Sequence, residues 1–296
     1  MSGIILITLL AGFVNGGLGY GLSSITVPIG LLYFSNRVLN PALVLVEVGA
    51  NIYTLVLNRK SLRRIWKKVI AILVGLLPAI LLGSILLKSL DATWIKLMTY
   101  GFLTPLILLQ SFGFRKPVHA ERMIGLVLGG LVGLLYSITT ISGPPLAILL
   151  NNEGYEKSDF RAALGLIRVV ESSFTAIMYY SIGIFTAESM QVFLWITPGI
   201  VVAMPLGSVL LGKLNPNTFR RLCITIDAWL IAYGLSRTLI SGVGLSGTEV
   251  FLISSAIVLV DGINLVRYFQ NMRQNQETGS VLSFPQKDTV NKQNVA

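Results

Sequence analysis

The chain contains apolar runs, free of any charge, that are long enough to cross a lipid bilayer. Residues 69–87 and 189–212 are such runs, of 19 and 24 residues. A helix needs about 20 predominantly apolar residues to cross roughly 30 Å of hydrocarbon. Charged residues make up 12% of the chain, about half the share that is usual in soluble domains. The sequence therefore predicts an all-α, polytopic membrane protein.

Two further apolar segments are each interrupted by small and polar residues. The first 36 residues carry no charge, and Asn15–Ser24 divides them into two apolar arms. The same pattern returns at 123–152, where Tyr136–Pro145 forms the interruption. Interrupted apolar segments at corresponding places in two halves of a chain indicate the binding site of a secondary transporter.

The two halves of the chain also match elsewhere, in the same order. A shift of 117 superposes Gly16 on Gly133, and a shift of 124 superposes 82–87 on 206–211. Each half contains one interrupted hairpin and three spans, and an odd number of crossings inverts the second half. We predict repeat 1 at 1–112, repeat 2 at 113–240, an extra transmembrane helix at 248–266 and a polar, disordered cytoplasmic tail at 270–296.

The basic loops suggest how the chain crosses the membrane, because Lys and Arg collect in cytoplasmic loops. A re-entrant hairpin at 123–152 keeps the basic loops that follow it cytoplasmic, whereas a full crossing there places them outside. The predicted fold has about seven transmembrane helices plus two re-entrant or broken helical hairpins, arranged as two inverted-topology repeats. The alternative, in which 1–36 and 123–152 are kinked full spans, stays open. The predicted spans are 39–57, 69–87, 93–112, 162–180, 189–211, 222–240 and 248–266.

The hairpin tips are the predicted place for substrate contact. Backbone amides at the starts of half-helices carry partial positive charge and bind anions. Glycine allows a ligand to approach the backbone, and hydroxyl groups supply further donors. The candidate substrate-binding residues are Asn15, Gly17, Gly19, Ser23, Ser24, Ser137, Thr139, Thr140, Ser142 and Gly143. Four other glycines, spaced for close helix packing, are predicted to pack helices instead: Gly12, Gly16, Gly129 and Gly133.

Ionisable residues within the predicted spans form a second group of candidates, since charges inside a membrane are costly and commonly functional. Arg168 is the natural counter-charge for an anion and is predicted to bind substrate. Glu47, Asn51 and Glu171 are candidates for coupling transport to protons. The alternative for Arg168 is a structural pair with Glu47 or Glu171, and the sequence does not choose between these interpretations.

Other charged residues do not suggest a site. We interpret Asp227 as reaching towards Arg220 or Arg221, and Asp261 as interfacial at a span end. The single His and single Cys cannot build a zinc site. The net charge of +10 comes from short loops and does not predict nucleic-acid binding. We therefore predict no enzyme activity, no metal and no cofactor.

Several motifs together resemble the TauE/SafE family of sulfite exporters. They are Gly16–Gly21 with Pro28, Ser142–Leu146, Lys157–Ala162 and the repeated Leu-Gly-Ser elements, and the resemblance covers about residues 1–266. It implies a multi-pass secondary transporter of sulfite or a related organosulfur oxyanion in the bacterial plasma (inner) membrane. The second hairpin carries Ser and Thr where some members have glycines, so the resemblance implies the role of this hairpin rather than its individual contacts.

Two other functions stay open at this point. One is an anion channel that uses the same site, and the other is a membrane accessory protein of sulfur metabolism. The predicted partners are a small anionic substrate and the lipid bilayer, with no nucleic acid. The sequence leaves open whether the chain forms a homo-oligomer.

Overall fold

A computed structural model describes residues 2–112, 122–152, 157–210 and 216–277, and these residues are almost entirely helical. They form eleven α-helices and one π-helical turn at Leu239–Val243, with no strand among them. The helices are α1 Ser2–Leu18, α2 Leu22–Gly30, α3 Asn36–Leu57, α4 Arg59–Ser89, α5 Ala92–Ser111, α6 Arg122–Thr139, α7 Gly143–Asn152, α8 Lys157–Ser181, α9 Ala187–Leu210, α10 Pro216–Thr238 and α11 Gly247–Glu277.

The predicted spans correspond to helices, one span to each of α3–α5 and α8–α11. Among the described residues, six helices are long and apolar enough to cross a membrane: α3, α4, α5, α8, α9 and α11. This confirms the all-α membrane class. The span predicted at 222–240 lies in α10, which is not one of these six. Its crossing, the re-entrant course of the hairpins and the inversion of the repeats remain predictions.

Two helices extend beyond the predicted spans. α4 begins at Arg59, so the basic segment expected to be a loop is the first part of a helix. Lys and Arg are good helix formers, and their long side chains reach the aqueous phase from a helix end. α11 continues to Glu277, past the predicted start of the tail at 270. The rest of that tail and the basic loop at 113–121 lie outside the described residues.

Both interrupted segments are broken helices, as predicted. α1 ends at Leu18 and α2 begins at Leu22, while α6 ends at Thr139 and α7 begins at Gly143. The first break contains two glycines in the left-handed region, Gly19 at φ 83° and Gly21 at φ 113°. The second break is made by Thr140 at φ 58°, which is unfavourable for a residue with a Cβ atom.

Each broken helix packs closely on a helix from the other half of the chain, α1 on α9 and α6 on α4. A Cβ atom added to Gly16 would collide with the Met204 carbonyl oxygen, and one added to Gly129 would collide with the Ile72 carbonyl oxygen. The other two predicted packing glycines also face these helices, Gly12 towards Ile200 and Gly133 towards Leu76. The packing role predicted for all four glycines is therefore confirmed.

The repeated Leu-Gly-Ser elements lie at the same two helix crossings. Gly207 on α9 faces the backbone of Phe13, and Gly83 on α4 faces Ser137. A side chain at either glycine would separate the two helices, because its Cβ atom would meet an atom of the crossing helix. The two elements therefore allow the same kind of close helix contact in the two halves, which explains their similarity in sequence.

A buried ion pair joins α11 to α10, and it bears on two of the interpretations above. Arg221 Nη2 lies 3.0 Å from Asp261 Oδ1, and Asp261 is fully buried near the middle of α11. Ser111 Oγ donates to the same carboxylate oxygen at 2.7 Å. Asp261 is therefore paired inside the protein, and the interfacial depth predicted for it remains a prediction. Arg221 pairs with Asp261 rather than with Asp227.

We expect Asp261→Ala to destabilise the protein by about 3–5 kcal/mol, because it leaves the buried Arg221 guanidinium without its counter-charge. Thermal unfolding in detergent, followed by intrinsic fluorescence, measures the effect. Arg267→Ala, which removes an exposed charge from the same helix, is the matched control and should leave the unfolding temperature unchanged. Equal unfolding temperatures for the two variants would contradict a stabilising role for this pair.

Candidate functional site

A second buried ion pair lies where α3 packs on α8. Arg168 Nη2 is 2.7 Å from Glu47 Oε1, and the two side chains are 2% and 0% exposed. Both residues lie near the middle of their helices. Removing two charges from water costs several kcal/mol per ion, so such a pair needs further hydrogen bonds to be stable. The structure pairs Arg168 with Glu47, and substrate binding by Arg168 remains a prediction.

Residues beside both helix breaks donate hydrogen bonds to Glu47 of this ion pair. Ser23, in the first turn of α2, donates a hydrogen bond to Glu47 Oε1. Tyr136, in the last turn of α6, donates to Glu47 Oε2 at 2.6 Å. One carboxylate therefore accepts hydrogen bonds from the first broken helix, from the second broken helix and from α8.

Arg168 keeps donor groups that are weakly used. Its Nη1 lies 3.4 Å from Asn15 Oδ1 and 3.5 Å from the Gly19 carbonyl oxygen, which are long distances for hydrogen bonds. Its Nε is buried and has no hydrogen-bond partner within the part of the chain that the structure describes. A guanidinium carries five N–H donors in a planar fork that suits oxyanions. Arg168 thus has donors available at the first break.

Glu171 lies one helical turn from Arg168 and contacts the second break. Ser142, the last residue of that break, donates to Glu171 Oε2 at 2.5 Å. The other carboxylate oxygen, Oε1, is buried and has no hydrogen-bond partner among the described residues. Asn51 donates to the Arg168 carbonyl oxygen at 3.3 Å and so joins α3 to α8 beside these groups. We call Asn15, Ser23, Glu47, Tyr136, Ser142, Arg168 and Glu171 the central cluster.

The side chains of the remaining candidate residues make no hydrogen bond to a side chain of the central cluster within the described part of the chain. A Cβ atom added to Gly143 would lie 3.1 Å from Tyr20 Cβ, so the two breaks are in contact there. The Gly17 carbonyl oxygen accepts a hydrogen bond from Arg161. Ser24 is buried in α2. The hydroxyls of Ser137, Thr139 and Thr140 donate to backbone carbonyl oxygens of Gly133, Leu135 and Thr139, respectively.

Sequence reasoning missed two residues of this region. Tyr136 was treated as part of the break and not as a site residue, although a tyrosine at mid-membrane needs a partner for its hydroxyl. Arg161 lies in a stretch that carries the family resemblance, but no role was predicted for it. Its contact with Gly17 depends on how α1 is placed against α8, which no local signal reveals.

The fold and the site together define a class of protein. In its described part, the chain has six helices long and apolar enough to cross a membrane, two broken helices that meet, and buried ionisable side chains at the meeting point, features that are common in membrane transport proteins.

Comparison with known proteins identifies the family. Residues 4–234 match the family described as "Sulfite exporter TauE/SafE", and the chain belongs to this family. It is 28% identical over 207 residues to the "Probable inner membrane transporter protein TsaS" of Comamonas testosteroni, across 66% of this chain and 80% of that protein. No solved structure matches the chain.

These findings confirm the predicted resemblance and the multi-pass location in the inner membrane. The chain is a membrane transport protein, which agrees with the prediction that it is not an enzyme. In the described part of the chain, no three His, Cys, Asp or Glu side chains are grouped so that they could hold a metal ion.

Proposed function

We propose that this protein is a secondary carrier that moves a small sulfur-containing oxyanion, sulfite or an organosulfonate, across the plasma membrane with coupling to protons. The observation that carries the proposal is the convergence of both helix breaks on the Arg168–Glu47 pair. The family description and the name of the relative support the substrate class and the transport role.

The central cluster offers an oxyanion three kinds of donor. Arg168 supplies the positive charge, two long hydrogen bonds from Nη1, and an Nε that has no partner among the residues described. The helices α2 and α7 begin at the two breaks, and the amides of a helix N-terminus attract anions. Ser23 and Ser142 supply hydroxyls from the two sides. An anion that enters here competes with Glu47 for Arg168, so binding and release can change the contact between α3 and α8.

The arrangement of the helices supports alternating access. Under the predicted repeat, the contact of α1 with α9 corresponds to that of α6 with α4, and α3 corresponds to α8. Two halves with similar sequence and opposite orientation can exchange their packings, which opens a central site first to one side and then to the other. The central cluster lies at the α3–α8 contact, where such an exchange would act on it.

The test is the flux of radiolabelled sulfite into proteoliposomes that contain the purified protein. We expect saturable uptake that an imposed pH gradient changes, and acceleration of labelled uptake by unlabelled sulfite trapped inside. Uptake without saturation or this counterflow would instead identify an anion channel. A protein that moves neither sulfite nor any of a panel of sulfonates would contradict the proposal and favour the accessory role.

A further inference from the structure

We infer that Glu171, and not Glu47, carries the coupling proton, and that the proton binds together with the anion. This inference rests on the proposed function, because it assigns a role within the same site. Glu47 and Glu171 lie in one buried cluster but have different hydrogen-bond partners. The partners of each carboxylate determine how costly it is to protonate.

Glu47 is the less favourable of the two carboxylates for a proton. One of its oxygens accepts from Ser23 and Arg168, and the other accepts from Tyr136. A proton on Glu47 would neutralise the counter-charge of the buried Arg168 guanidinium and weaken these three hydrogen bonds, because an ionised acceptor makes stronger hydrogen bonds than a neutral one.

Glu171 can take a proton without the loss of an ion pair. Its Oε2 accepts from Ser142, whereas its buried Oε1 has no partner in the described part of the chain. A proton on Oε1 breaks no contact. The protonated Oε1 also becomes a hydrogen-bond donor, which attracts an oxyanion, whereas the ionised oxygen would repel it.

The other charged and titratable groups around Glu171 are few. Glu47 faces it from α3, Tyr136 from α6 and Arg168 from its own helix. The helix α4 carries its charges at its ends, where Arg64 pairs with Asp159 and Lys88 bonds a carbonyl oxygen. The sequence of α7 contains no ionisable residue. Arg161, also on α8, lies ten residues before Glu171 and bonds the Gly17 carbonyl oxygen at the first break. Within the central cluster itself, the charged groups are Glu47, Arg168 and Glu171.

The sum of these charges couples the proton to the anion. With all three groups ionised, the cluster holds one positive and two negative charges, which opposes entry of an anion into a low-dielectric site. A proton on Glu171 makes the cluster neutral. Anion and proton then favour each other's binding by the same factor, since such coupling is reciprocal. The anion and the proton move in the same direction, so sulfite flows towards the more alkaline side.

The experiment compares Glu171→Gln with the wild type in proteoliposomes, using labelled sulfite. We expect an alkaline interior to accelerate uptake by the wild type. The Glu171→Gln variant, which imitates a permanently protonated side chain, should lose the response to the gradient and show sulfite counterflow at a rate that does not change with pH. Glu188→Gln, which alters an exposed carboxylate at the start of α9, is the matched control and should behave as the wild type.

Three results would overturn the inference. They are an undiminished gradient response in Glu171→Gln, a loss of counterflow together with the gradient response in a correctly inserted variant, and faster wild-type uptake into an acidic interior. If Glu171→Gln fails to insert, Glu171→Met provides a second neutral replacement of similar size and answers the same question. Absence of wild-type sulfite flux under every condition would instead count against the proposed function, so the two failures are distinguishable.

Discussion

Replacing Arg168 with glutamine is expected to reduce sulfite flux to the level of protein-free liposomes. Arg168 is the positive charge of the central cluster and has donors that the protein does not fully use. The single variant also leaves Glu47 as a buried charge without its partner, which costs about 3–5 kcal/mol of stability. A loss of flux in this variant alone would therefore not separate substrate binding from folding.

The double variant Arg168→Gln with Glu47→Gln makes that separation. It removes both charges, and a neutral replacement of a whole buried ion pair is commonly tolerated. We expect the double variant to regain thermal stability and membrane insertion while sulfite flux stays absent. Flux assays and thermal unfolding on the same preparations measure both quantities. Wild-type flux in the double variant would show that the pair is only structural.

Placing a methyl group at Gly16 is expected to destabilise the protein strongly. The added Cβ atom would collide with the Met204 carbonyl oxygen on α9, and neither backbone can turn aside as a side chain would. Overpacking of this kind typically costs about 1–3 kcal/mol and occasionally more. We expect a lower unfolding temperature and a lower yield of Gly16→Ala in the membrane.

Gly101→Ala is the matched control for this prediction. Gly101 is also within a helix, and a Cβ atom there would meet nothing within 4 Å. Alanine favours helix more than glycine by about 1 kcal/mol, so this variant should be as stable as the wild type or slightly more so. Equal unfolding temperatures for Gly16→Ala and Gly101→Ala would contradict close packing of α1 on α9.

The positions of the helices could be predicted because hydropathy and backbone breaks are local signals. Charge-free runs such as 189–212 mark membrane crossings, and Gly19 and Gly21 mark the first break at the residues where the chain takes a positive φ. The ends of α4 and α11 could not be predicted from hydropathy. Outside the hydrocarbon a helix continues in polar sequence, so loss of apolarity marks the membrane boundary and not the end of the helix.

The sequence identifies the ionisable residues of the site, but it does not determine which of them pair with each other. Glu47, Arg168 and Glu171 are conspicuous because charges are rare inside membranes. Which of them pair depends on how α3 and α8 are rotated against each other, and helix periodicity alone does not determine this. The same limit explains Asp261, whose partner Arg221 lies on another helix 40 residues away in sequence.

The proposal places one binding site between the two helix breaks. Its most direct test is to measure how tightly sulfite binds to variants altered at each break. Labelled sulfite binding to the purified protein should weaken in both Ser23→Ala and Ser142→Ala, because their hydroxyls reach the central cluster from opposite breaks. Ser208→Ala, whose hydroxyl bonds its own helix at Pro205, should bind as the wild type does. Wild-type affinity in both break variants would contradict the proposed site.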